Sequence, residues 1–505
     1  MSSHETIERL LANGAAQDPA IGAPGRSALS YAGLRGQVAS TVEQLNALGV
    51  GRNDTVAIVL PNGPEMASAF VAIAAGATTA PLNPGYRAEE FRFYLSDLAA
   101  SLLVVDEAST SPALGIAAEL GIGVARLRAD RSRPAGSFTL EGERKTARSG
   151  GLAGSEDVAL VLHTSGTTSR PKIVPLTQRN VCTSAANIAA SLALGRADRC
   201  LNIMPLFHIH GLIAAVSASL HAGASVHCTP GFNALHFFRW LEEVEPTWYT
   251  GVPTMHQAIL ARAARNEGAA RAAALRFIRS SSASLPPRVM AELEAAFGAP
   301  VIEAYGMTEA AHQMASNPLP PRPRKAGSVG LPAGPEMAVM NERGELLPAG
   351  SIGEIVIRGP NVTAGYQNNA AANATAFTNG WFRTGDQGVI DDDGYFRLTG
   401  RLKEIINRGG EKISPREVDE VLLDHPAVAQ VVTFAVPHDK LGEDVAAAIV
   451  LAQGAQADER SIREFAAKRL ADAKVPRTIV FVDEIPKGAT GKLQRIGLAE
   501  KLGLA

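Results

Sequence analysis

Over its first 400 residues the chain alternates short apolar runs with segments of helical character. The runs Thr55–Leu60, Ser101–Val105 and Val158–Leu162 predict buried strands, and Ala67–Ala75 predicts a helix. Apolar strands that alternate with helices are typical of parallel sheets whose two faces are covered by helices. We therefore expect an α/β fold in which a large N-terminal domain is built from doubly wound αβ subdomains.

The pattern of apolar runs and turn-forming residues changes twice from residue 330 onward. Short strand-like runs separated by turns predict a small β-rich subdomain over about 330–400. A hinge is expected near Gly400–Lys403, followed by a helix that begins at Ser414-Pro415 and by mixed helix and strand patterns. We predict an N-terminal domain over residues 1–400 and a small α+β C-terminal domain over 401–505. Residues 128–154, which are poor in large apolar side chains, are expected to be a surface excursion.

Charge and cysteine content exclude several classes of protein. The 48 basic and 50 acidic side chains nearly cancel, so neither nucleic acid nor an anionic membrane is an expected partner. The three cysteines form no CxxC pair, which disfavours a zinc ribbon or a disulfide framework. The start lacks a secretory pattern, and Met66–Leu82 is typical of a buried helix and strand rather than a membrane span. The expected location is the cytoplasm.

The segment His163–Lys172 directly follows a predicted buried strand and carries the strongest chemical signal. It combines five hydroxyl residues, one glycine and two cations. Small residues allow backbone N–H groups to approach an anion closely, and Arg170 and Lys172 add positive charge. The spacing is that of neither a Walker loop nor a GxGxxG dinucleotide fingerprint. The segment therefore predicts a phosphate-binding loop of another type.

This loop resembles the Ser/Thr/Gly-rich loop of the adenylate-forming superfamily of acyl-CoA synthetases, luciferases and peptide-synthetase adenylation domains. Four further segments resemble the other motifs of that family, in the family's order: Ala304–Glu309 (aromatic-Gly-x-Thr-Glu), Trp381–Asp386 (Thr-Gly-Asp), Gly400–Glu404 (hinge) and Pro486–Lys492 (C-terminal lysine loop). The resemblance spans most of the chain. It implies an acid–CoA ligase that uses ATP, Mg²⁺ and CoA, forms an acyl-adenylate with release of pyrophosphate, and then forms a thioester with release of AMP.

The resemblance also implies roles for individual residues. The nucleotide-binding residues would be Thr164, Ser165, Gly166, Thr167, Thr168, Lys172, Ser282, Ala283, Glu303, Ala304, Tyr305, Thr308, Asp386 and Arg401. Within this set Tyr305 and Ser282-Ala283 would flank adenine, and Asp386 would bind the ribose hydroxyls. Thr308 would contact the α-phosphate, and Glu309 would hold Mg²⁺.

The C-terminal domain is implied to be mobile because one site serves two reactions. Lys492 would bridge the attacking carboxylate and the α-phosphate during adenylation. The domain would then rotate about a hinge at Lys403, bringing Gly409-Gly410 to CoA. Glycine there would allow the backbone a close approach.

Imidazole and hydroxyl groups near the active-site motifs favour a small polar acid over a fatty acid. The runs around Pro205–Gly211, Met307–His312 and Ile406–Pro415 resemble the oxalate–CoA ligase branch of the family. The second carboxylate of oxalate is costly to desolvate without hydrogen-bond donors. His210, Ser281 and His312 are the candidates for that role, with His210 also counted among the catalytic residues. Whether His208 or His210 faces the substrate stays open.

Three alternatives remain at this point. The first is a ligase for another short-chain acid or small dicarboxylic acid, such as a small fatty acid or malonate. The second is a regulatory nucleotide-binding protein whose catalysis has decayed, although Lys492, Glu309 and Asp386 are all present. The third is an adenylation domain that feeds a carrier protein, although no carrier domain follows Lys492 in this sequence.

Overall fold

The structure is a computed structural model that describes residues 5–164, 171–487 and 493–505. Its first sheet has seven strands in the order Phe138–Gly142, Gly123–Ala129, Leu102–Asp106, Thr55–Val59, Thr78–Pro81, Val158–Thr164 and Lys172–Thr177. The inner strands run parallel and each edge strand runs antiparallel to its neighbour. The three strands predicted from apolar runs all lie in this sheet.

The second sheet has nine strands. Their order is Leu331–Pro332, His312–Ser316, Val301–Met307, Phe277–Ser280, Trp248–Gly251, Arg199–Asn202, Ser225–Cys228, Pro19–Ala23 and Arg26–Ser30. The strands between Val301–Met307 and Pro19–Ala23 are parallel. Antiparallel partners complete the sheet at both ends.

Helices cover both faces of these two sheets. In the N-terminal part the helices are Ile7–Leu10, Tyr31–Ala47, Pro64–Ala74, Ala88–Asp97, Ala113–Glu119, Gln178–Ser191, Ala218–His221, Phe237–Val244, Pro253–Ala263, Glu267–Ala272 and Pro287–Phe297, with 3₁₀ turns at Leu11–Asn13, Ala264–Asn266 and Thr308–Ala310. A π-helix spans His210–Ser217. No helix in the described part of the chain has the length and apolar character needed to cross a bilayer.

The largest apolar core lies between the two sheets. It contains side chains from both sheets together with the helices Pro64–Ala74 and Gln178–Ser191. Separate cores lie under the helices on the outer faces, one for each sheet. Alternation along Phe277–Ser280 places Phe277 in the central core and Ile278 in the outer one, so that Arg279 faces the central layer.

A small antiparallel sheet forms the predicted β-rich part. Its strands are Glu336–Met340, Gly353–Arg358, Trp381–Ile390 and Phe377–Thr378, with Phe396–Arg401 paired to Trp381–Ile390, and the helix Ala370–Ala376 lies beside it. The expectation of a surface excursion over 128–154 is wrong for Phe138–Gly142, which is an edge strand of the first sheet. Phe138 and Leu140 are buried there while Thr139 is exposed.

The last part of the chain has its own sheet and core. The strands are ordered Glu411–Ile413, Ile406–Arg408, Gly442–Leu451 and Val428–His438, and Thr478–Phe481 runs parallel to Gly442–Leu451. The helices are Pro415–Leu423, Glu459–Ala467 and Leu498–Lys501, with a 3₁₀ turn at Asp472–Lys474. The two elongated strands pair along their whole length and separate two apolar clusters. This matches the predicted α+β organisation.

Candidate active site

A hairpin in the nine-stranded sheet positions the motif Ala304–Glu309. The strand Val301–Met307 leads into a 3₁₀ turn and returns as His312–Ser316, with Gly306 paired to Gln313. A Cβ on Gly306 would lie 1.7 Å from the carbonyl oxygen of His312. The glycine of the motif is thus required by the close approach of two strands, and this approach brings His312 beside the motif.

Asp386 joins two of the predicted nucleotide-binding residues. Its carboxylate accepts a hydrogen bond from the Tyr305 hydroxyl at 2.5 Å and another from Arg401 Nε at 3.1 Å. Burial and the neighbouring Asp386 raise the pKa of Tyr305, so its hydroxyl stays protonated and donates. Asp386 is buried, with a 6% exposed fraction. The three side chains form one cluster although they are up to 96 residues apart in the sequence (401 − 305).

Glu309 lies in a second cluster. The hydroxyl of Tyr366 donates to Glu309 Oε1 at 2.9 Å, and Lys172 Nζ lies 3.9 Å from the centroid of the Tyr366 ring. Burial raises the pKa of Glu309, while the Tyr366 hydrogen bond and the charge of Lys172 oppose that shift. Burial lowers the pKa of Lys172. Tyr366 was not among the predicted site residues, because an isolated tyrosine after a turn has neither a periodic pattern nor a charged partner in the sequence.

The predicted phosphate loop is described only at its two ends. Thr164 ends the strand that enters the loop, and its Oγ1 is buried without a hydrogen-bond partner among the described residues. Lys172 begins the strand that leaves it. Ser165, Gly166, Thr167 and Thr168 lie outside the described residues, as does Lys492. Thr308 is half-buried as the first residue of the 3₁₀ turn.

The segments predicted to flank the adenine lie at neighbouring strand ends. Ser282 and the exposed Ala283 lie two and three residues after the strand Phe277–Ser280, and the next strand carries Glu303 and Ala304. Glu303 Oε2 accepts a hydrogen bond from the backbone of Gly327, and burial raises the pKa of Glu303 to about 8. The carboxyl ends of parallel strands are where open α/β sheets bind ligands.

A buried polar cluster surrounds His210, the first residue of the π-helix. His210 Nε2 lies 2.6 Å from Thr250 Oγ1, and Nδ1 lies 3.1 Å from Ser282 Oγ. The ring of His312 packs edge-on against that of His210, with 5.0 Å between centroids. His208 instead accepts the backbone N–H of His210 with its Nδ1, at 3.3 Å. His210 therefore contacts His312, and which of His208 and His210 faces the substrate stays a prediction.

Ser281, whose predicted role toward the acid stays a prediction, is bonded to the neighbouring strand. Its hydroxyl donates to the carbonyl of Ala304 at 2.9 Å and is fully buried. Ser282, with a φ of 74° in the left-handed region, is the serine that meets His210. His312 also has a positive φ, at 101°. Such backbone conformations are costly for non-glycine residues and are concentrated at functional sites.

Arg279 belongs to the same cluster and was missed by sequence reasoning. It is fully buried, and its guanidinium donates to His210 Nε2 and to Gln313 Oε1, both at 3.3 Å. A charged residue inside the short strand Phe277–Ser280 is the signal that could have revealed it, since arginine is almost never fully buried without a partner.

The predicted CoA-contacting glycines form the turn of a two-residue hairpin. Gly409 and Gly410 have φ values of 59° and 96° and connect the strands Ile406–Arg408 and Glu411–Ile413. Two successive positive φ values are the geometry of a type I′ turn, which glycine adopts readily. The turn and Lys403 are both exposed.

Comparison with known proteins agrees with this arrangement. Residues 11–367 match the model of the AMP-binding enzyme family, and residues 417–492 match that of the AMP-binding enzyme C-terminal domain. The oxalate–CoA ligase of Arabidopsis thaliana is 46% identical, with 97% of each chain covered. The oxalate–CoA ligase of Saccharomyces cerevisiae is 43% identical over 89% of this chain and 87% of the relative. The crystal structure of ATP-bound MatB from Rhodopseudomonas palustris superimposes with a TM-score of 0.89 at 29% identity, over 99% of both chains.

These matches confirm the predicted fold, with its large N-terminal and small C-terminal domains. They also confirm the predicted class of enzyme, an ATP-dependent acid–CoA ligase. The residue roles and the boundary at residues 400/401 stay predictions. From motifs, fold and relatives together, the chain belongs to the AMP-binding enzyme family of adenylate-forming enzymes.

Proposed function

We propose that the chain is an oxalate–CoA ligase. The observation that carries this proposal is the polar cluster beside the Ala304–Glu309 motif, in which His210 and His312 are buried and Ser282 is half-buried. A site for a long-chain acid would be lined by apolar side chains, whereas buried imidazole and hydroxyl groups suit a compact polar acid. The likeness to two oxalate–CoA ligases from distant organisms supports the same substrate.

The reaction would proceed in two steps at one site. A carboxylate oxygen of oxalate attacks the α-phosphorus of ATP, and the bond to pyrophosphate breaks. The sulfur of CoA then attacks the acyl carbon of oxalyl-adenylate, and the bond to AMP breaks. Phosphoryl transfer of this kind depends on positioning and on stabilising negative charge rather than on a covalent enzyme intermediate.

The described residues support distinct tasks in these steps. Asp386 is an acceptor suited to the ribose hydroxyls, and Arg401 and Tyr305 hold it in place. Thr308, the residue before Glu309, and Lys172, whose Nζ lies over the Tyr366 ring, would contact phosphate oxygens. By resemblance, Lys492 would bridge the two reactants.

The acidic residues of the site are compatible with Mg²⁺. No group of three or more metal-ligating side chains occurs among the described residues. Magnesium in nucleotide-using enzymes is held by one or two carboxylates together with substrate phosphates and water. The buried carboxylate of Glu309 fits that pattern, and we propose it as the ligand that the protein provides. When bound, the ion would neutralise charge on the phosphates.

We further propose that residues 401–505 turn against residues 1–400 between the two steps. The two parts have separate sheets and separate cores, and the exposed Lys403 lies in the short connection between them. Lys492 and the hairpin at Gly409-Gly410 belong to the same C-terminal part. A rotation could thus exchange the adenylation group for the CoA-contacting turn.

Assay of the purified protein over a panel of acids tests the substrate. Pyrophosphate release and thioester formation would be followed with oxalate, malonate, acetate and hexanoate, with and without CoA. We expect the highest kcat/KM with oxalate, and AMP release only when an acid is present. Oxalate turnover no faster than that of acetate or hexanoate would refute the substrate, and the absence of pyrophosphate release with every acid would favour a decayed enzyme.

A further inference from the structure

Arg279 is a cation buried at the centre of the acid-binding cluster. It lies on the strand Phe277–Ser280, beside Thr250 of the neighbouring strand, and it has no exposed surface. Thr250, Arg279 and the ring of His210 meet between this sheet and the π-helix His210–Ser217. The residue lies behind His210 and is sealed from solvent.

The guanidinium lacks the partner that a buried charge normally has. In the described part of the chain its hydrogen bonds go to His210 and Gln313, neither of which is a carboxylate, and its Nε has no partner. Burial lowers the pKa of Arg279 to about 9, which still leaves it charged at neutral pH. Burying a charge without a counter-charge is costly. A site that keeps such a cation is suited to receive an anion.

The contact between Arg279 and His210 settles which nitrogen of the imidazole carries the proton. A guanidinium has only donors, so Nε2, which faces Arg279 Nη1 at 3.3 Å, must offer its lone pair. In the neutral ring the proton is then on Nδ1 and is donated to Ser282 Oγ at 3.1 Å. Ser282 accepts this bond, which leaves its own hydroxyl hydrogen to donate to a substrate oxygen.

The hydrogen bonds of Gln313 fix the position of the guanidinium. Gln313 Nε2 donates to Ser191 Oγ at 2.9 Å and to the carbonyl of Ala333 at 3.1 Å. Its amide oxygen is thereby directed at Arg279 Nη2. Arg279 is therefore fixed from one side by Gln313 and presents its other donor to His210.

We propose that Arg279 is a positioning residue that makes this site selective for dicarboxylates. It fixes His210 as the Nδ1–H tautomer, which orients the Ser282 hydroxyl, and its positive charge stabilises the second carboxylate of the acid. That carboxylate does not react, and a monocarboxylate has no such group. The inference rests on the proposed function, because it names what holds the non-reacting end of the acid.

The test compares Arg279→Met with Arg279→Lys, using oxalate and glycolate, a monocarboxylate of the same size. Methionine keeps much of the length of the side chain and removes the charge. We expect Arg279→Met to raise KM for oxalate by roughly 10- to 100-fold, because the variant removes the buried charge and its hydrogen bond to His210. The kcat for oxalate and the KM for glycolate should change by less than about threefold. Arg279→Lys, which restores the charge, should recover part of the preference for oxalate.

Ile278→Val is the matched control. Ile278 is the neighbour of Arg279 on the same strand, but it faces the outer core, so this variant should lose some stability and keep the ratio of kcat/KM values. An unchanged ratio in Arg279→Met would overturn the inference. Equal losses for both acids in Arg279→Met, with no rescue by lysine, would show a purely structural role and would also overturn it.

The wild-type protein separates this inference from the proposed function. Should it prefer malonate to oxalate, the substrate proposal fails, and the same comparison is made with malonate and propionate. Should it prefer a monocarboxylate to every dicarboxylate, both proposals fail. A preference for oxalate that survives in Arg279→Met leaves the proposed function intact and removes only the role of Arg279.

Discussion

Three buried carboxyl groups at this site differ in the partners that surround them. Asp386, Glu309 and Glu303 have the same exposed fraction, 6%. Asp386 is compensated by Arg401, and Glu309 by the Tyr366 hydroxyl and the charge of Lys172. Glu303 receives backbone hydrogen bonds but makes no ion pair with any residue that the structure describes, and burial raises its pKa to about 8. The hydrogen-bond and charge partners, more than the degree of burial, distinguish these three carboxyl groups.

Glu303 is expected to make the stability of the protein depend on pH. Its folded-state pKa of about 8 lies above the 4.5 of an unperturbed glutamate, so the folded state binds the proton more tightly. This contribution to stability is fully present below about pH 4.5 and is lost as the pH rises through about 8. In Glu303→Gln, which mimics the protonated acid, Tm should exceed that of the wild type by a few degrees at pH 8.5 and should match it near pH 5.

Thermal unfolding between pH 5 and pH 8.5 measures this difference. Glu342→Gln is the control, because Glu342 is exposed in a loop and its substitution should leave Tm nearly unchanged at either pH. A difference between Glu303→Gln and the wild type that stays constant over this range would contradict the assignment.

Sequence reasoning identified residues that occur within motifs and missed those that act by contact. Tyr305, Asp386 and Arg401 belong to different motifs, and the structure brings them together. Tyr366 and Arg279 belong to no motif. Tyr366 joins the site through its hydrogen bond to Glu309, and Arg279 joins it through His210, and both partners are distant in sequence. No pattern in a single sequence reports such contacts.

At the scale of elements, strands predicted from continuous apolar runs are all present, because a fully buried parallel strand has few alternatives. The edge strand Phe138–Gly142 was missed because only Phe138 and Leu140 are buried, and two alternating positions are too short a pattern to recognise. The π-helix at His210 was also not predicted. Between His210 and Ser217 its sequence is apolar and shows no change of period.

The start of the helix Pro415–Leu423 was predicted from Ser414 and Pro415, and it links the two parts of the chain. Ser414 Oγ accepts the N–H of Glu417 and donates to the carbonyl of Thr399 in the strand Phe396–Arg401. Ser414→Ala should destabilise this helix by about 1 kcal/mol, a typical value for loss of an N-cap. Because the bond to Thr399 is also lost, we expect the ratio of adenylation to thioester formation to change in this variant.

Asp458→Ala provides the comparison for Ser414→Ala. Asp458 caps the helix Glu459–Ala467 by accepting the backbone N–H of Ser461, and among the described residues its hydrogen bonds stay at this helix start. Hydrogen exchange should show similar local destabilisation of the two helices, and only Ser414→Ala should alter the balance between the half-reactions. Equal effects of the two variants on that balance would argue against a linking role.

At the scale of the whole molecule, one nucleotide site must serve two reactions with different requirements. Adenylation needs positive charge between the acid and the α-phosphate, whereas thioester formation needs room for CoA. The two parts of the chain contact each other through small, polar interactions near the hinge, such as Ser414 with Thr399 and the Gly385 carbonyl with the Leu402 N–H. Contacts of this kind can be exchanged without exposing an apolar core.

Lys492 is expected to act in only one of the two half-reactions. Lys492→Ala should slow adenylation by about 100-fold or more, since it removes charge from the position where negative charge develops. Thioester formation from supplied oxalyl-adenylate should stay within about threefold of the wild type, because the lysine is then displaced from the site.

Lys487→Ala is the control. Lys487 is an exposed lysine five residues earlier, and its ion-pair partner is Glu484, at 3.5 Å. Neither half-reaction should change in this variant. Rapid-quench measurement of each half-reaction distinguishes these outcomes, and equal losses in both for Lys492→Ala would refute alternation between two uses of one site.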